Sequence, residues 1–193
     1  MASRQTVASS KFVAVDALDN ELPYPYDDRW SLERTTGPAR LVIAPRRGSH
    51  IDVLLELARL LPEPFSILYL LSSRTGEHRD GRYQSPEPTN RKATEAFVQG
   101  FREYFEGDGR HHVWLTSFPD AGTLVYDNHD VIYAYGPLDR YREVLVNRAF
   151  REASVTIPVP HQHRFNEVFD EAERKLIDYW EWRHTPFRPE DHI

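Results

Sequence analysis

The stretch that decides the fold runs from residue 40 to residue 71 and reads RLVIAPRRGSHIDVLLELARLLPEPFSILYLL. Its apolar run at 41–44 is short and continuous, which is typical of a buried strand. Apolar residues at helical spacing follow at 51–61, and a second apolar run at 66–71 predicts another strand. A strand, a helix and a strand joined this closely normally place the two strands side by side and parallel. We therefore predict a parallel pair here.

The rest of the chain adds strands and helices to this unit. Three apolar runs separated by short turns predict an antiparallel meander, and apolar stripes at helical spacing predict three more helices. The further helices are 89–106, 137–149 and 165–182, and the further strands are 111–117, 123–127, 130–135 and 154–159. The order β-α-β-α-β-β-β-α-β-α predicts the α/β class with α+β character. We expect a single mixed sheet with a central antiparallel meander and helices packed on it.

The two ends of the chain differ from its middle. Residues 1–37 are rich in proline and polar residues, and Pro23 and Pro25 exclude a regular helix around them. We predict an extended, partly disordered N-terminal arm over 1–37, a single α/β domain over 38–184 and a loose C-terminal tail over 185–193. Aromatic residues in the arm and near the tail are candidates for contact with a partner, because Tyr and Trp are enriched at binding hot spots. These interface candidates are Tyr24, Tyr26, Trp30 and Trp182.

The composition excludes several classes of function. The chain has 193 residues, no cysteine and a net charge of −6. Without cysteine there are no disulfides, thiolate metal sites or cysteine nucleophiles, and a negative net charge argues against nucleic-acid binding. No apolar segment is long enough to cross a membrane, and no secretory signal or nucleotide-binding fingerprint is visible. We expect a cytoplasmic protein without a cofactor, a nucleic-acid partner or a membrane partner, and its 21 arginines against three lysines favour a bacterial source.

Two arginine-rich loops are the candidate anion-binding region. If the predicted strands run the same way, the loops that follow them meet at one edge, where open α/β sheets place their ligand sites. The loop 45–50 leads into a helix N-terminus, which attracts anions, and the loop 72–82 is rich in arginine. Glu77 and Asp80 lie among these arginines, so the alternative is a loop that neutralises its own charge. The candidate residues are Arg46, Arg47, Ser49, Arg74, Arg79 and Arg82.

A His-x-His pair, His161 and His163, raises the question of a metal. Alternate residues of a strand point to the same face, so both imidazoles could contact one ion. A third ligand would have to come from elsewhere, and His78 and Asp120 are candidates because the predicted topology puts them at this edge. Two ligands do not make a site, and the pair could equally cap and pack the end of its strand. We therefore predict no metal from the sequence.

A second polar cluster, 127–130, joins two strands of the meander. Parallel strands elsewhere would place this turn at the opposite edge of the sheet from the arginines. Asp127 and Asp130 could face each other and share a proton or hold a cation, which would suggest acid–base chemistry. Asp and Asn are also ordinary turn-forming residues, and this interpretation is favoured. His111 and His112 are expected close to the turn.

These features favour a protein that binds another protein. We predict a non-catalytic interaction domain of a bacterial cytoplasmic protein, of the kind found in immunity proteins or inhibitors, with another protein favoured over a small anionic ligand as partner. The alternative is an enzyme acting on a small phosphorylated or carboxylated substrate at the Arg/His-lined edge. In that alternative Arg46, Arg47 and Arg74 bind the charge, and His161 or His163 transfers protons.

Overall fold

The computed structural model describes residues 10–22, 26–34, 36–189 and 191. The described residues form a mixed α/β structure with a large sheet, as predicted, and they contain five helices where the sequence predicts four. The helices are α1 (His50–Ala58), α2 (Arg91–Gly100), α3 (Arg102–Gly107), α4 (Leu138–Asn147) and α5 (Asp170–Ile177). The strands are β1 (Phe12–Val15), β2 (Glu21–Leu22), β3 (Arg29–Glu33), β4 (Arg40–Ala44), β5 (Phe65–Leu71), β6 (Gly81–Gln84), β7 (His111–Ser117), β8 (Gly122–Tyr126), β9 (Ile132–Tyr135), β10 (Arg151–Glu152), β11 (His161–His163) and β12 (Arg183–Thr185).

The main sheet has the order β10-β3-β4-β9-β8-β7-β5-β6-β12. The meander β7-β8-β9 is present as predicted, and every pairing in this sheet except β10 with β3 is antiparallel. The prediction that β4 and β5 are parallel neighbours is wrong, because the meander lies between them. They still point the same way, since four antiparallel pairings separate them. The crossover through α1 therefore spans three strands that come later in the chain.

The strand directions decide which loops meet. β4, β5 and β8 end at the edge of the sheet where β7 and β9 begin. The loops after β4 and β5 and the turn between β8 and β9 therefore lie along the same edge. The prediction that this turn, residues 127–130, lies at the opposite edge is wrong, because it assumed that the first and last strands of the meander run the same way as β4 and β5, whereas they run the opposite way. We call this edge the upper edge.

The core lies between the helices and one face of the main sheet. Leu41, Ile43, Leu124 and Tyr126 belong to this face, are fully buried and pack with apolar residues of the helices. A small cluster on the other face consists of Val42, Ala44 and Val131 with Tyr26, Tyr133 and Val155, and none of these described residues is helical. The second face of the sheet therefore presents partly exposed aromatic side chains.

Several predicted elements differ from the observed ones. No strand forms at 154–159, where β10 and β11 flank the segment instead, and β6 forms inside a predicted loop. The helix predicted at 89–106 divides into α2 and α3, and the helix predicted at 165–182 shortens to a 3-10 turn, Glu167–Phe169, followed by α5. Part of the predicted arm pairs with the domain, because β3 lies beside β4. The rest of that prediction includes residues 1–9 and 23–25, which lie outside the described residues.

A second, three-stranded sheet of order β11-β1-β2 lies at the upper edge. Its central strand β1 pairs with β11 in an antiparallel register that sets Phe12 opposite His163 and Ala14 opposite His161. The amide of Gly109, just before β7, donates to the carbonyl of Arg164, just after β11. These backbone hydrogen bonds place β11, the strand that contains His161 and His163, at the upper edge of the main sheet.

Candidate metal centre at the upper edge of the sheet

Three histidines converge where the small sheet meets the turn between β8 and β9. They are His129, His161 and His163, and one ligand nitrogen of each lies within 4.8 Å of the others. The Nε2 atoms of His129 and His161 are 3.2 Å apart. Two nitrogens bound to one tetrahedral zinc ion at 2.0–2.1 Å would be separated by about 3.3 Å. We refer to these residues as the three-histidine centre.

The turn holds His129 in place through its own backbone. The carboxylate of Asp127 accepts hydrogen bonds from the amides of His129, at 2.9 Å, and Val131, at 3.0 Å. Such side-chain-to-backbone bonds are the reason Asp favours turns, and Asp127 stabilises this turn in that way. The hydroxyl of Tyr26 donates to the carbonyl of His129 at 2.8 Å. Hydrogen bonds to both its amide and its carbonyl therefore fix the backbone of His129.

Lys11 connects the small sheet to this turn. Its side chain is fully buried, and its Nζ donates to the carbonyl of Asp127 at 2.7 Å and lies 3.7 Å from the centre of the Tyr126 ring. Burial lowers the pKa of Lys11 to about 8, although the nearby carboxylates of Asp130 and Asp127 oppose this shift. One buried side chain, from the residue just before β1, thus connects the small sheet to the turn that contains His129.

Hydrogen bonds decide which ring nitrogens can bind an ion. Nδ1 of His161 lies 2.8 Å from the carbonyl of Pro158, which can only accept, so this nitrogen carries the proton. Nδ1 of His129 lies 2.9 Å from Oδ2 of Asp127. Burial opposes ionisation of Asp127, but the hydrogen bond from His129, the nearby imidazoles of His112 and His129 and the amide of Val131 together outweigh it and hold the pKa of that carboxyl below its usual value. An ionised carboxylate only accepts, so in the neutral form of both histidines Nε2 is left with its lone pair.

His163 completes the centre in the uncharged form. Burial, together with the neighbouring His129 and His161, lowers its pKa to about 4. Its Nδ1 is buried without a hydrogen-bond partner among the described residues. The three rings lie edge to face, with centroids 4.8 to 5.1 Å apart. A metal ion binds the neutral imidazole, so the protonation state fits that chemistry.

A cavity of about 260 Å³ opens beside the centre, on the face of the sheet away from the helices. Asp127 and His129 form its end at the three-histidine centre. Two nitrogens in its wall, Nε2 of His112 and Nε1 of Trp114, are buried without a partner among the described residues. Burial lowers the pKa of His112 to about 4. The remaining wall is formed by Arg40, Val125, Tyr133 and Tyr135.

No protein-family model, curated protein or solved structure matches this chain. The chemistry of the site therefore follows from its own side chains. In addition, none of the helices in the described ranges is both long enough and apolar enough to cross a membrane.

The structure corrects the choice of third histidine. His78 lies away from the centre, where its Nδ1 is 2.9 Å from the carboxylate of Glu173. Asp120 lies between β7 and β8, at the lower edge of the sheet. His129 takes the third place because the antiparallel meander brings its turn to the upper edge. Only the spacing Asp-x-His at 127–129, a possible carboxylate–histidine pair, could have indicated this from the sequence.

The predicted anion-binding arginines do lie along the upper edge, and several pair with carboxylates of the chain. Arg46 pairs with Asp28, Arg74 with Asp170 and Glu167, and Arg82 with Asp191. Arg47 and Arg79 are exposed. The hydroxyl of Ser49 donates to the carbonyl of Arg46. At the N-terminus of α1 the amide of Ile51 donates to the carboxylate of Glu106 at 2.8 Å, so the chain supplies its own anion there.

The remaining candidates have other environments. Asp130 accepts a hydrogen bond from the hydroxyl of Tyr126 at 2.7 Å. Trp30 is 3% exposed and part of the core, so its prediction as an interface residue is wrong, since β3 turns this side chain toward the helices. Trp182 is half-buried, and its Nε1 donates to the carbonyl of Leu176. Tyr24 lies outside the described residues, and His112 lies close to the turn as expected.

Proposed function

We propose that this chain is a metal-dependent enzyme in which His129, His161 and His163 bind one divalent transition-metal ion, such as Zn²⁺. The observation that carries the proposal is the distance of 3.2 Å between two Nε2 atoms that both present lone pairs. Two acceptors so close repel each other unless a cation lies between them. A proton could serve for one pair, but a third neutral imidazole at the same point favours a metal ion.

The arrangement favours a catalytic centre over a structural one. Structural zinc sites are closed by four protein ligands, whereas catalytic sites use three and leave a position for water or substrate. Three histidines form this centre, and no fourth carboxylate or imidazole of the described residues joins them. The carboxylate of Asp127 on Nδ1 of His129 is the outer partner that orients a metal-bound histidine. A metal ion so held would activate water for hydrolysis.

Metal binding by the purified protein tests this proposal. After removal of metal with a chelator, we expect titration calorimetry to show one Zn²⁺ per chain. We expect His161→Ala or His163→Ala to weaken binding by more than about 100-fold, because each removes a ligand directly. The matched control is His184→Ala, which alters a histidine of β12 outside the centre. Wild-type protein that binds zinc no better than the His161→Ala variant would overturn the proposal.

The role of a protein-binding domain remains the second candidate. It is supported by the sheet face that no helix in the described ranges covers, where Trp114, Tyr133, Tyr135 and Arg40 are partly exposed. Tyr, Trp and Arg are the residues most enriched at binding hot spots. As a bacterial cytoplasmic protein of the immunity or inhibitor kind, the chain would retain one stoichiometric partner from its own cell lysate. Tyr133→Ser should abolish that retention, and an unchanged partner would exclude this face.

A further inference from the structure

We propose that the cavity beside the three-histidine centre binds a small organic anion, whose carboxylate or phosphate group contacts Arg40 and whose other end reaches the metal. This inference rests on the proposed function and adds the class of substrate to it. Arg40 is not among the arginines that the sequence indicated. The argument comes from the free donors of Arg40, the unpartnered nitrogens of the cavity wall and the dimensions of the cavity.

Arg40 is held rigidly with part of its guanidinium unused. Its Nε donates to Glu33, its Nη1 donates to the hydroxyl of Tyr135 at 2.7 Å, and its Cζ lies 4.1 Å above the centre of the Tyr133 ring. A guanidinium has five N–H donors, and the others have no partner among the described residues. The side chain is one quarter exposed, and it lines the cavity. A planar pair of donors so placed fits an oxyanion.

The cavity wall also lacks hydrogen-bond partners that a ligand would supply. The indole Nε1 of Trp114 is buried and unpartnered among the described residues, and an indole nitrogen can only donate. Nε2 of His112 is in the same condition. Buried polar groups are normally satisfied, so the unpartnered indole donor of Trp114 favours a ligand that brings an acceptor atom to this wall, and Nε2 of His112 would donate or accept according to the tautomer of its ring. Oxygen atoms of an anionic substrate meet this requirement.

The dimensions limit the ligand to a small molecule. A volume of 260 Å³ corresponds to about nine water molecules of liquid. Arg40 lies beside Tyr135, three residues along β9 from its start at the upper edge, which is about 10 Å at the rise of a strand. The aromatic rings of Trp114 and Tyr133 lie between the two ends and suit a flat apolar body. A substrate with one acidic end and one reactive end would span this distance.

Three hydroxamates test the inference on the zinc-loaded full-length protein. Benzohydroxamate is neutral and can bind the open metal position, whereas its 4-carboxy and 4-phosphono derivatives also carry an anion at the far end of the ring. We expect at least one charged derivative to bind about ten-fold or more tightly than the neutral one, because it gains charge-assisted bonds to Arg40. Whichever derivative binds more tightly identifies the acidic group.

Variants of two arginines provide the controls. We expect Arg40→Gln to reduce the charged derivatives to the affinity of benzohydroxamate and to leave zinc affinity unchanged. Arg40→Lys, which keeps the charge and loses the planar donors, should fall between them. Arg46→Gln, at the upper edge of the sheet and outside the cavity, should change nothing. Equal affinities of the charged and neutral probes for the wild type would overturn the inference. It would also be overturned if Arg46→Gln weakened binding of the charged probes and Arg40→Gln did not.

The outcomes separate the two proposals. If zinc and benzohydroxamate bind but charge makes no difference, the anion site is wrong and the metal centre stands. If zinc binds and no hydroxamate binds, the cavity does not open onto the metal, and the inference is again overturned. If zinc itself does not bind, the proposed function fails first.

Discussion

Two buried polar clusters lie at the upper edge of the sheet, and they differ in how their groups are satisfied. Arg110 is fully buried, and its guanidinium makes five hydrogen bonds, three of them at 2.7 to 2.9 Å to Asp108 and Glu173. The other two go to Asp170 and to the carbonyl of Asn166. Five donors and five acceptors leave the guanidinium with no unused bond.

The three-histidine centre presents the opposite case. Two of its lone pairs face each other, and Nδ1 of His163 is buried without a partner among the described residues. The adjoining cavity adds the unpartnered nitrogens of His112 and Trp114. A polar cluster whose groups all have hydrogen-bond partners within the chain stabilises the fold. A cluster with unpartnered groups indicates a site where a ligand binds. The following experiments test this difference.

The largest expected effect is on the complete cluster. Arg110→Met should lower the free energy of unfolding by about 3 to 5 kcal/mol, because it leaves the carboxylates of Asp108 and Glu173 buried without their cation. Urea unfolding followed by circular dichroism measures this. The matched control, Arg174→Met, removes exposed ion pairs with Glu77 and Glu171 and should leave stability nearly unchanged. A comparable loss in both variants would contradict a structural role specific to the buried cluster.

The burial of His112 in the cavity wall should make the free energy of unfolding depend on pH. His112 has a pKa of about 4 in the folded chain because it is buried, against about 6.5 when unfolded. The unfolded chain therefore binds a proton that the folded chain does not between these values, and stability is lost as the pH falls from 6.5 to 4. The full shift corresponds to about 3 kcal/mol.

Urea unfolding of the metal-free protein at a series of pH values measures this loss. His112→Asn should show a shallower fall in the free energy of unfolding than the wild type, because one titrating group has been removed. Parallel curves for the two proteins would show that His112 is not held neutral by burial. The slope is the quantity compared, so a general loss of stability in the variant does not affect the result.

The smallest expected effect concerns the outer partner of the metal centre. Asp127→Asn keeps an oxygen for the amides of His129 and Val131 but removes the carboxylate that fixes Nδ1 of His129 as a donor. We expect zinc affinity to fall by about 10- to 100-fold, which is typical for loss of such a partner. Asp120→Asn, at the lower edge, is the control. Unchanged affinity in Asp127→Asn would mean that His129 is not a ligand.

Local patterns made part of the fold predictable. The meander β7-β8-β9 follows from short turns between apolar strands, and the β4-α1-β5 unit from its own periodicity. The separation of β4 from β5 could not be predicted, because it depends on three strands that come later in the chain and lie between them. The segment 154–159 has the composition of a strand, but the chain pairs on either side of it, in β10 and β11.

The candidate site, like the fold, could be predicted only in part from the sequence. That His161 and His163 share one face follows from the alternation of a strand, which the sequence by itself determines. The absence of cysteine likewise limits any metal ligands to nitrogen and oxygen. The third histidine and the cavity were decided only by the tertiary structure. His129 meets the pair because β11 joins β1, and Lys11 of that segment bonds to Asp127, 116 residues further along the chain. The alternation of side chains along a strand depends only on neighbouring residues. The edge of the sheet at which a turn lies depends on the direction of every strand that separates it from the rest of the site.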